Sequence, residues 1–580
     1  MTSAVQLRHD RTLTLPEISA VGRGTARISL APETVALLAQ RRAEVVQAVL
    51  AQEEPAYGFN RGFGHNVNLR VAGRPELLEE LQLNLIRSHS LGVGEPAEPE
   101  VVRVAMVLRA QSLARGYSAV RPVVVETLLA ALNADLVPVV PSHGSVSASG
   151  DLAPLSHMAL ALLGEGEVYL RGARVPAATA LAEAGIAPLH LEMKEGLALN
   201  NGAQYLTALG LVAAERAMEL LRTATIAASL STQVMLGSSA PFREDLQALR
   251  PHPGALTVAR WLRDLLHDSP IQRVHEDKRL DGEVQDPYNL RCAPQILGTC
   301  HDLIADAQRT FAIEAGSVTD NPLILRDGEG RHTDVVSGGH FHGMPVAVKV
   351  YNLVQAAAIM ASLSSARCAR YVDEQRNKGL GSGLVWPGLS PHERPTCSGL
   401  MIAEYTAASL TNFIWGQTTP SHLFNISTDA GQEDHVSMGA PMALRLFAIL
   451  PRLAEVLALE LAFAAQAAAI RKELDHFPSR AELPHHAKEL QDRLVEELRQ
   501  AVSAEEGRAV EVELSIRKLY PWRAEERLLS PAGEAVLARI AQVLPPVERD
   551  RTLAGEVAAL AELVLRGEIT AAAQTHAELT

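Results

Sequence analysis

Three long stretches rich in alanine and leucine repeat their apolar residues at helical spacing, and they constrain the fold more than any other feature of the chain. After Pro345, the residues Val346, Val350, Leu353, Ala357 and Met360 follow at alternating steps of four and three, with serine and alanine over much of the remaining surface. That pattern predicts a long helix packed closely on several sides. Asn201 to Leu236 and Leu444 to Ile470 have the same character, with Pro451 placed to kink the latter. Together the three predict the centre of one helical bundle. Aromatic residues make up only 4% of the chain, so small side chains must do much of the packing. Runs of alternating β-branched residues are few and short, and the expected fold is mainly α.

At 580 residues the chain exceeds the roughly 250 to 300 at which single compact cores stop growing. A division into residues 1–200, 201–471 and 472–580 follows its composition: a mixed N-terminal portion, the long-helix bundle, and a helical end that opens with a charged insertion after Lys472. The first 75 residues read as loop-rich, with a short strand at Ala26 to Leu30 and a helix opened by Pro75. Hydrophobic residues at 47% and charged residues at 21% exclude disorder, collagen and a small disulfide scaffold. The 53 Lys and Arg against 67 Asp and Glu give a net charge of -14, which opposes nucleic acid as a partner. Cys292, Cys300, Cys368 and Cys397 form no metal-ligand spacing and read as free thiols in a reducing compartment. Met1 to Leu15 lacks the apolar core of a signal peptide. Leu444 to Ile470 is broken by Arg445, Arg452, Glu455 and Glu460, which makes it a buried helix and not a membrane span. A cytoplasmic protein without a membrane partner is expected.

The most unusual local run is Gly144-Ser145-Val146-Ser147-Ala148-Ser149-Gly150-Asp151-Leu152-Ala153-Pro154. Asp151 is placed to cap the apolar helix that follows, and Pro154 suits its first turn, so an ordinary loop and cap is one reading. Leu77, Leu81, Leu85 and His89 fall at successive steps of four, which puts His89 on an apolar stripe facing inward, as a core residue or as a ligand contact. His340 and His342, with Asp434 and His435 to recruit, invite a metal. Two histidines at spacing two with no assured third ligand are poor grounds, and no metal is expected. No phosphate-binding Gly-x-x-x-x-Gly-Lys motif or Gly-x-Gly-x-x-Gly after a strand is present, which argues against a nucleotide cofactor.

Ala148-Ser149-Gly150 followed by Asp-Leu-Ala-Pro-Leu resembles the self-processing tripeptide of the aromatic amino acid ammonia-lyase family, which cyclises to a methylidene-imidazolone (MIO) group. The residue types suit that chemistry. Gly150 has no side chain to block its nitrogen from the Ala148 carbonyl, and Ser149 can lose water to leave a methylidene. Tyr57-Gly58-Phe59-Asn60-Arg61-Gly62-Phe63-Gly64 resembles the family's tyrosine loop, and Lys194 to Gln204 its Lys-Glu-Gly-Leu-Ala stretch. Gln285-Asp286-Pro287-Tyr288-Asn289-Leu290-Arg291-Cys292, Ser337 to His342 and Gln432 to Met438 follow in the family's order. Glu433 places the chain with the histidine branch, since the phenylalanine and tyrosine branches usually carry Gln-Asp at that point.

The resemblance implies a long central bundle of the ammonia-lyase, fumarase/aspartase-like type, and removal of ammonia from an amino acid, L-histidine to trans-urocanate. It implies MIO formed from Ala148, Ser149 and Gly150 with no external cofactor, and a homotetramer whose sites are shared between subunits. Deamination demands an electrophile, a base for a weakly acidic proton and a carboxylate clamp. By resemblance Tyr57 is the base, which requires a depressed phenol pKa or a nearby cation. Arg291 is the bidentate clamp. Asn201, Gln285 and Tyr288 form a hydrogen-bonding wall, Phe341 packs against the electrophile, and His89 with Gln432 and Glu433 meets the substrate side chain. Arg61, His65, Asn66, Asn200, His340 and Gly431 differ from the histidine-branch pattern. A lyase or 2,3-aminomutase for another aromatic or imidazole amino acid therefore stands as an alternative, and a non-catalytic helical scaffold as a second.

Overall fold

A computed structural model describes residues 3–51, 59, 75–276, 284–327, 330, 332–473 and 527–580. Among the described residues helices dominate, and the four longest are Gln204–Val234, Ala293–Ala315, Met344–Val372 and Gly439–Glu473. The predicted apolar ladder is buried as read, with Val346, Val350, Leu353, Ala357 and Met360 all at 0% exposure. Met344–Val372 is apolar and long enough by composition to cross a bilayer, and more than half of its most apolar window is buried within the chain.

The chain divides into two compact units. The first comprises Met1–Ala214, Asp306–Asn352 and Thr419–Phe447, and the second Glu215–Ala305, Leu353–Thr418 and Ala448–Thr580. Four of the divisions fall inside the long helices, one in each, so each of these helices contributes residues to both units. In the second unit the helices are locked around one buried carboxylate. Glu460, on Gly439–Glu473, accepts from Ser231 Oγ at 2.8 Å, Ser364 Oγ at 2.7 Å and Arg367 Nη2 at 2.8 Å, so side chains from two other long helices converge on it. Tyr371 donates to Ser231 Oγ at 3.0 Å and stacks on Phe463 with ring centroids 5.4 Å apart. A buried ion pair stays favourable only when its remaining lone pairs are met by donors, and the two serines supply them.

In the first unit, Ser3–Leu7 and the expected strand Ala26–Leu30 pair in parallel around the helix Leu15–Gly22, whose Thr14 and Glu17 form a reciprocal cap. The helix Pro32–Ala51 follows, so this portion carries more regular structure than its glycines imply. Pro75 opens the helix Pro75–His89 as expected. Its buried line is Leu78, Gln82, Leu85 and Ile86, whereas Leu77 is 40% exposed. Val93–Pro96 pairs with Pro141–His143, and that short ribbon delivers the chain into the loop at Gly144. The charged stretch after Lys472 lies, beyond Glu473, outside the described residues.

Candidate active site

The small-residue loop runs from the strand Pro141–His143 to the helix Leu152–Leu162. Asp151 occupies the N-cap position but makes no side-chain cap, contrary to the sequence expectation. Its carboxylate turns inward, where it accepts from Ser145 Oγ at 2.8 Å, Ser147 Oγ at 2.9 Å and Leu206 N at 2.7 Å. Leu206 lies in the first turn of Gln204–Val234, whose amides lack acceptors of their own. Asp151 thus caps a different helix from the one it precedes. Burial pushes its carboxyl up from the ordinary range, and these hydrogen bonds oppose the shift. The loop is also zipped to Val436–Met438: Met438 N donates to Val146 O at 3.0 Å and Ser437 Oγ to Ser147 O at 3.0 Å. Ala148 is buried against Val436 and Met438.

Gly150 has φ +80°, and a Cβ there would stand 2.3 Å from Gly202 O and 2.4 Å from Gly202 N, so glycine alone fits. Asp151 N donates to Gly202 O at 2.8 Å. Asn201 Nδ2 donates to Ser149 O at 3.0 Å, while Asn201 Oδ1 is buried without a partner. The Ser149 hydroxyl donates to Glu433 Oε1, and Glu433 Oε2 accepts from Thr428 Oγ1 at 2.6 Å. The turn between them is tight, with positive φ at Asp429, Ala430 and Gly431. His89 ends its helix partly buried, its Nδ1 3.0 Å from Ser88 Oγ. Burial lowers its pKa, and the charges of Glu433 and Asp429 pull the other way. His89, the tripeptide, Asn201 and Glu433 therefore belong to one neighbourhood in the first unit.

Phe341 is partly buried in the same unit, and Gln432 is exposed beside Glu433. His342 spends both ring nitrogens on backbone: Nε2 lies 3.0 Å from His435 O, and Nδ1 accepts from Met344 N at 3.3 Å. Its ring stacks on His435 at 6.2 Å. Among the described residues no three His, Cys, Asp or Glu side chains gather as metal ligands.

Gln285, Tyr288 and Arg291 form a group of their own in the second unit. Arg291 Nη2 donates to Gln285 Oε1 at 2.9 Å, its guanidinium lies 4.8 Å over the centre of the Tyr288 ring, and its Nε is buried without a partner. The planar cation is held flat with donor capacity to spare. Tyr57 and Arg61 lie outside the described residues. Phe59 is fully buried among Val45, Leu78, Ala119, Met193 and Ile324. Sequence reasoning missed two residues: Asp151 as an internal clamp and Thr428 as the partner of Glu433. A polar residue five positions before an acid carries no periodic signal, so only the folded turn shows the second.

The model of the aromatic amino acid lyases matches residues 13–500, and the chain belongs to that family of MIO-dependent enzymes. Over 457 residues, 79% of this chain and 84% of the relative, it is 45% identical to a histidine ammonia-lyase of Deinococcus radiodurans. Over 463 residues it is 43% identical to a histidine ammonia-lyase of Gloeobacter violaceus, covering 80% of this chain and 87% of the relative. Among solved structures it resembles a histidine ammonia-lyase from Trypanosoma cruzi with TM-score 0.79 and 31% identity, covering 99% of this chain and 96% of the other. A tyrosine aminomutase from Streptomyces globisporus gives TM-score 0.82 at 29% identity, over 100% and 99% of the two chains. Ala148, Ser149 and Gly150 fit the family's group: the crowded glycine, the held serine carbonyl and the unpartnered Asn201 oxygen are the cradle that a cyclised tripeptide needs.

Proposed function

We propose that this chain is a carbon–nitrogen lyase that converts L-histidine to trans-urocanate and ammonia. The observation that carries the reading is Glu433, bonded to the Ser149 hydroxyl and acting on His89, in a chain 43% to 45% identical to histidine ammonia-lyases over about 80% of its length. An MIO formed from Ala148, Ser149 and Gly150 would supply the electrophile that turns an amine into a leaving group. Asn201 holds the Ser149 carbonyl that the group would retain. Arg291, oriented by Gln285 and Tyr288, takes the substrate carboxylate in its fork. Tyr57 takes the β-proton, helped by the permanent cation of Arg61 in the same loop sequence. His89 stays neutral near pH 7 because burial lowers its pKa, so it offers the substrate imidazole one donor and one acceptor. Glu433 accepts from the imidazole or the departing ammonia, and Phe341 and Gln432 complete the wall. A homotetramer with shared sites, working in the cytoplasm, completes the proposal.

Incubation of the purified chain with L-histidine tests it. Urocanate absorbance should rise together with released ammonia. A β-amino acid product, which the likeness to an aminomutase makes the relevant competitor, or no product at all, would reject the proposal.

A further inference from the structure

The tripeptide loop is braced from behind by a buried arginine that has no place in the reaction as proposed. Arg109 lies in the helix Pro99–Ala114, which is buried at every residue from Val101 to Ala114. Its Nη1 donates to the backbone oxygen of Asn201 at 2.6 Å and to Gln204 Oε1 at 3.0 Å, and its Nη2 reaches Ser112 Oγ at 3.4 Å. Gln204 Nε2 donates in turn to Thr319 Oγ1 at 2.5 Å, and Thr319 N to Ser112 Oγ at 3.4 Å, so a closed polar ring surrounds the guanidinium. Gly202 is wedged against it: a Cβ there would stand 2.7 Å from Arg109 Nη1 and 2.2 Å from Thr319 O. On their other side the same two residues grip the tripeptide. Asn201 Nδ2 holds Ser149 O at 3.0 Å, Gly202 O takes Asp151 N at 2.8 Å, and the Gly202 backbone fills the space beside Gly150.

A buried cation is costly unless it is paired, and the direct acceptors of Arg109 are neutral. Asp320, which favours its charge, is itself bonded to Lys194 at 2.8 Å. An apolar side chain would satisfy this helix more cheaply, so the arginine answers to something other than packing. We propose that Arg109 is a positioning residue for the electrophile loop, fixing the Asn201–Gly202 peptide so that it presses Ser149 and Gly150 into the turn from which the ring closes. The inference rests on the proposed function. In ring closure the Gly150 nitrogen bonds to the Ala148 carbonyl carbon. A first water removes the Ala148 oxygen with the Gly150 and Ser149 amide protons, and a second removes the Ser149 hydroxyl with its Cα proton.

Intact mass, circular dichroism and kinetics of Arg109→Lys test the assignment, with Arg103→Lys as the control. Arg103 is a buried cation of the same helix, but it holds Val21 O, Gly22 O and Asp135 instead of the loop. The parent should be lighter than its sequence by two waters. Folded Arg109→Lys should keep a fraction at full sequence mass, and its processed fraction should lose about 10-fold or more in kcat with KM little changed, the size of effect that a small misplacement brings. Arg103→Lys should process completely. Complete water loss and parental kcat in Arg109→Lys would overturn the role of Arg109 alone, as would an equal defect in Arg103→Lys. A parent at full mass would overturn the MIO reading beneath it. If Arg109→Lys does not fold, Gln204→Met removes one of the two Nη1 acceptors. Partial processing in that variant supports the brace, and complete processing with parental kcat rejects it.

Discussion

The Ser149 hydroxyl makes one hydrogen bond, to Glu433, whereas the backbone of its loop is held by Asn201 and Gly202, and the loop's Ser145 and Ser147 hydroxyls by the inward carboxylate of Asp151. Ser149→Ala should therefore leave the fold and melting temperature nearly unchanged while abolishing both turnover and the loss of two waters. Residual activity in purified mutant would remove the tripeptide from the mechanism. Tyr57→Phe should retain substrate binding but lose roughly 10²-fold or more in turnover, the lower range for a missing general base. A parental rate would exclude Tyr57. Arg291→Lys gives up both the stacking on Tyr288 and the planar fork that Gln285 orients. KM should rise about 10-fold, equivalent to one charge-assisted hydrogen bond, with a smaller change in kcat. Equal KM values would count against the clamp. Residues of this kind are legible in a sequence only through their order and their neighbours. Nothing in the local sequence of Asp151 indicates that its carboxylate is used by Leu206, 55 residues further on.

Elements were legible where burial depends on one face of one helix or strand. The ladder from Val346 to Met360 and the strand Ala26–Leu30 came out as read. The helix Pro75–His89 shows how the reading slips. Gln82 is fully buried because its Oε1 accepts from Leu197 N at 3.2 Å, and this polar residue disguises the true inner line, so the apolar stripe is read one position off. His89 still lands at the helix end, half-buried, since neighbouring stripes share that corner. Glu460 is the counterpart in the long helices, a charge inside an apolar run that tertiary partners explain. Glu460→Gln should keep the shape but leave Arg367 buried without a counter-charge, at a cost of about 3–5 kcal/mol. Urea unfolding measures it. A midpoint equal to the parent's would mean that the serine and tyrosine hydroxyls, and not the ion pair, lock the helices.

At the scale of the whole molecule, the long helices bury their apolar faces largely within the chain, while the helix Met401–Gly416 does not. Met401, Ile402, Tyr405, Phe413 and Trp415 are between 44% and 65% exposed along it, more apolar surface than a lone soluble chain normally leaves to water. If the chain assembles with copies of itself, this helix offers the apolar surface that they would cover. Assembly with shared sites has a direct consequence for activity. Alone, Ser149→Ala chains are expected to be inactive and Tyr57→Phe chains to keep about one hundredth of parental turnover or less, because each lacks one group the reaction needs. Co-expressed, they should regain a fraction of parental kcat if the two groups of one site come from different copies, since some mixed sites then hold an intact tripeptide and an intact tyrosine. Differently tagged chains purified by both tags supply the mixed assemblies, and urocanate formation reads the rescue. No recovery in such assemblies would place tripeptide and tyrosine on one chain. A parent that is active as a monomer by light scattering would reject shared sites altogether, and would leave the exposed face of Met401–Gly416 to some other partner.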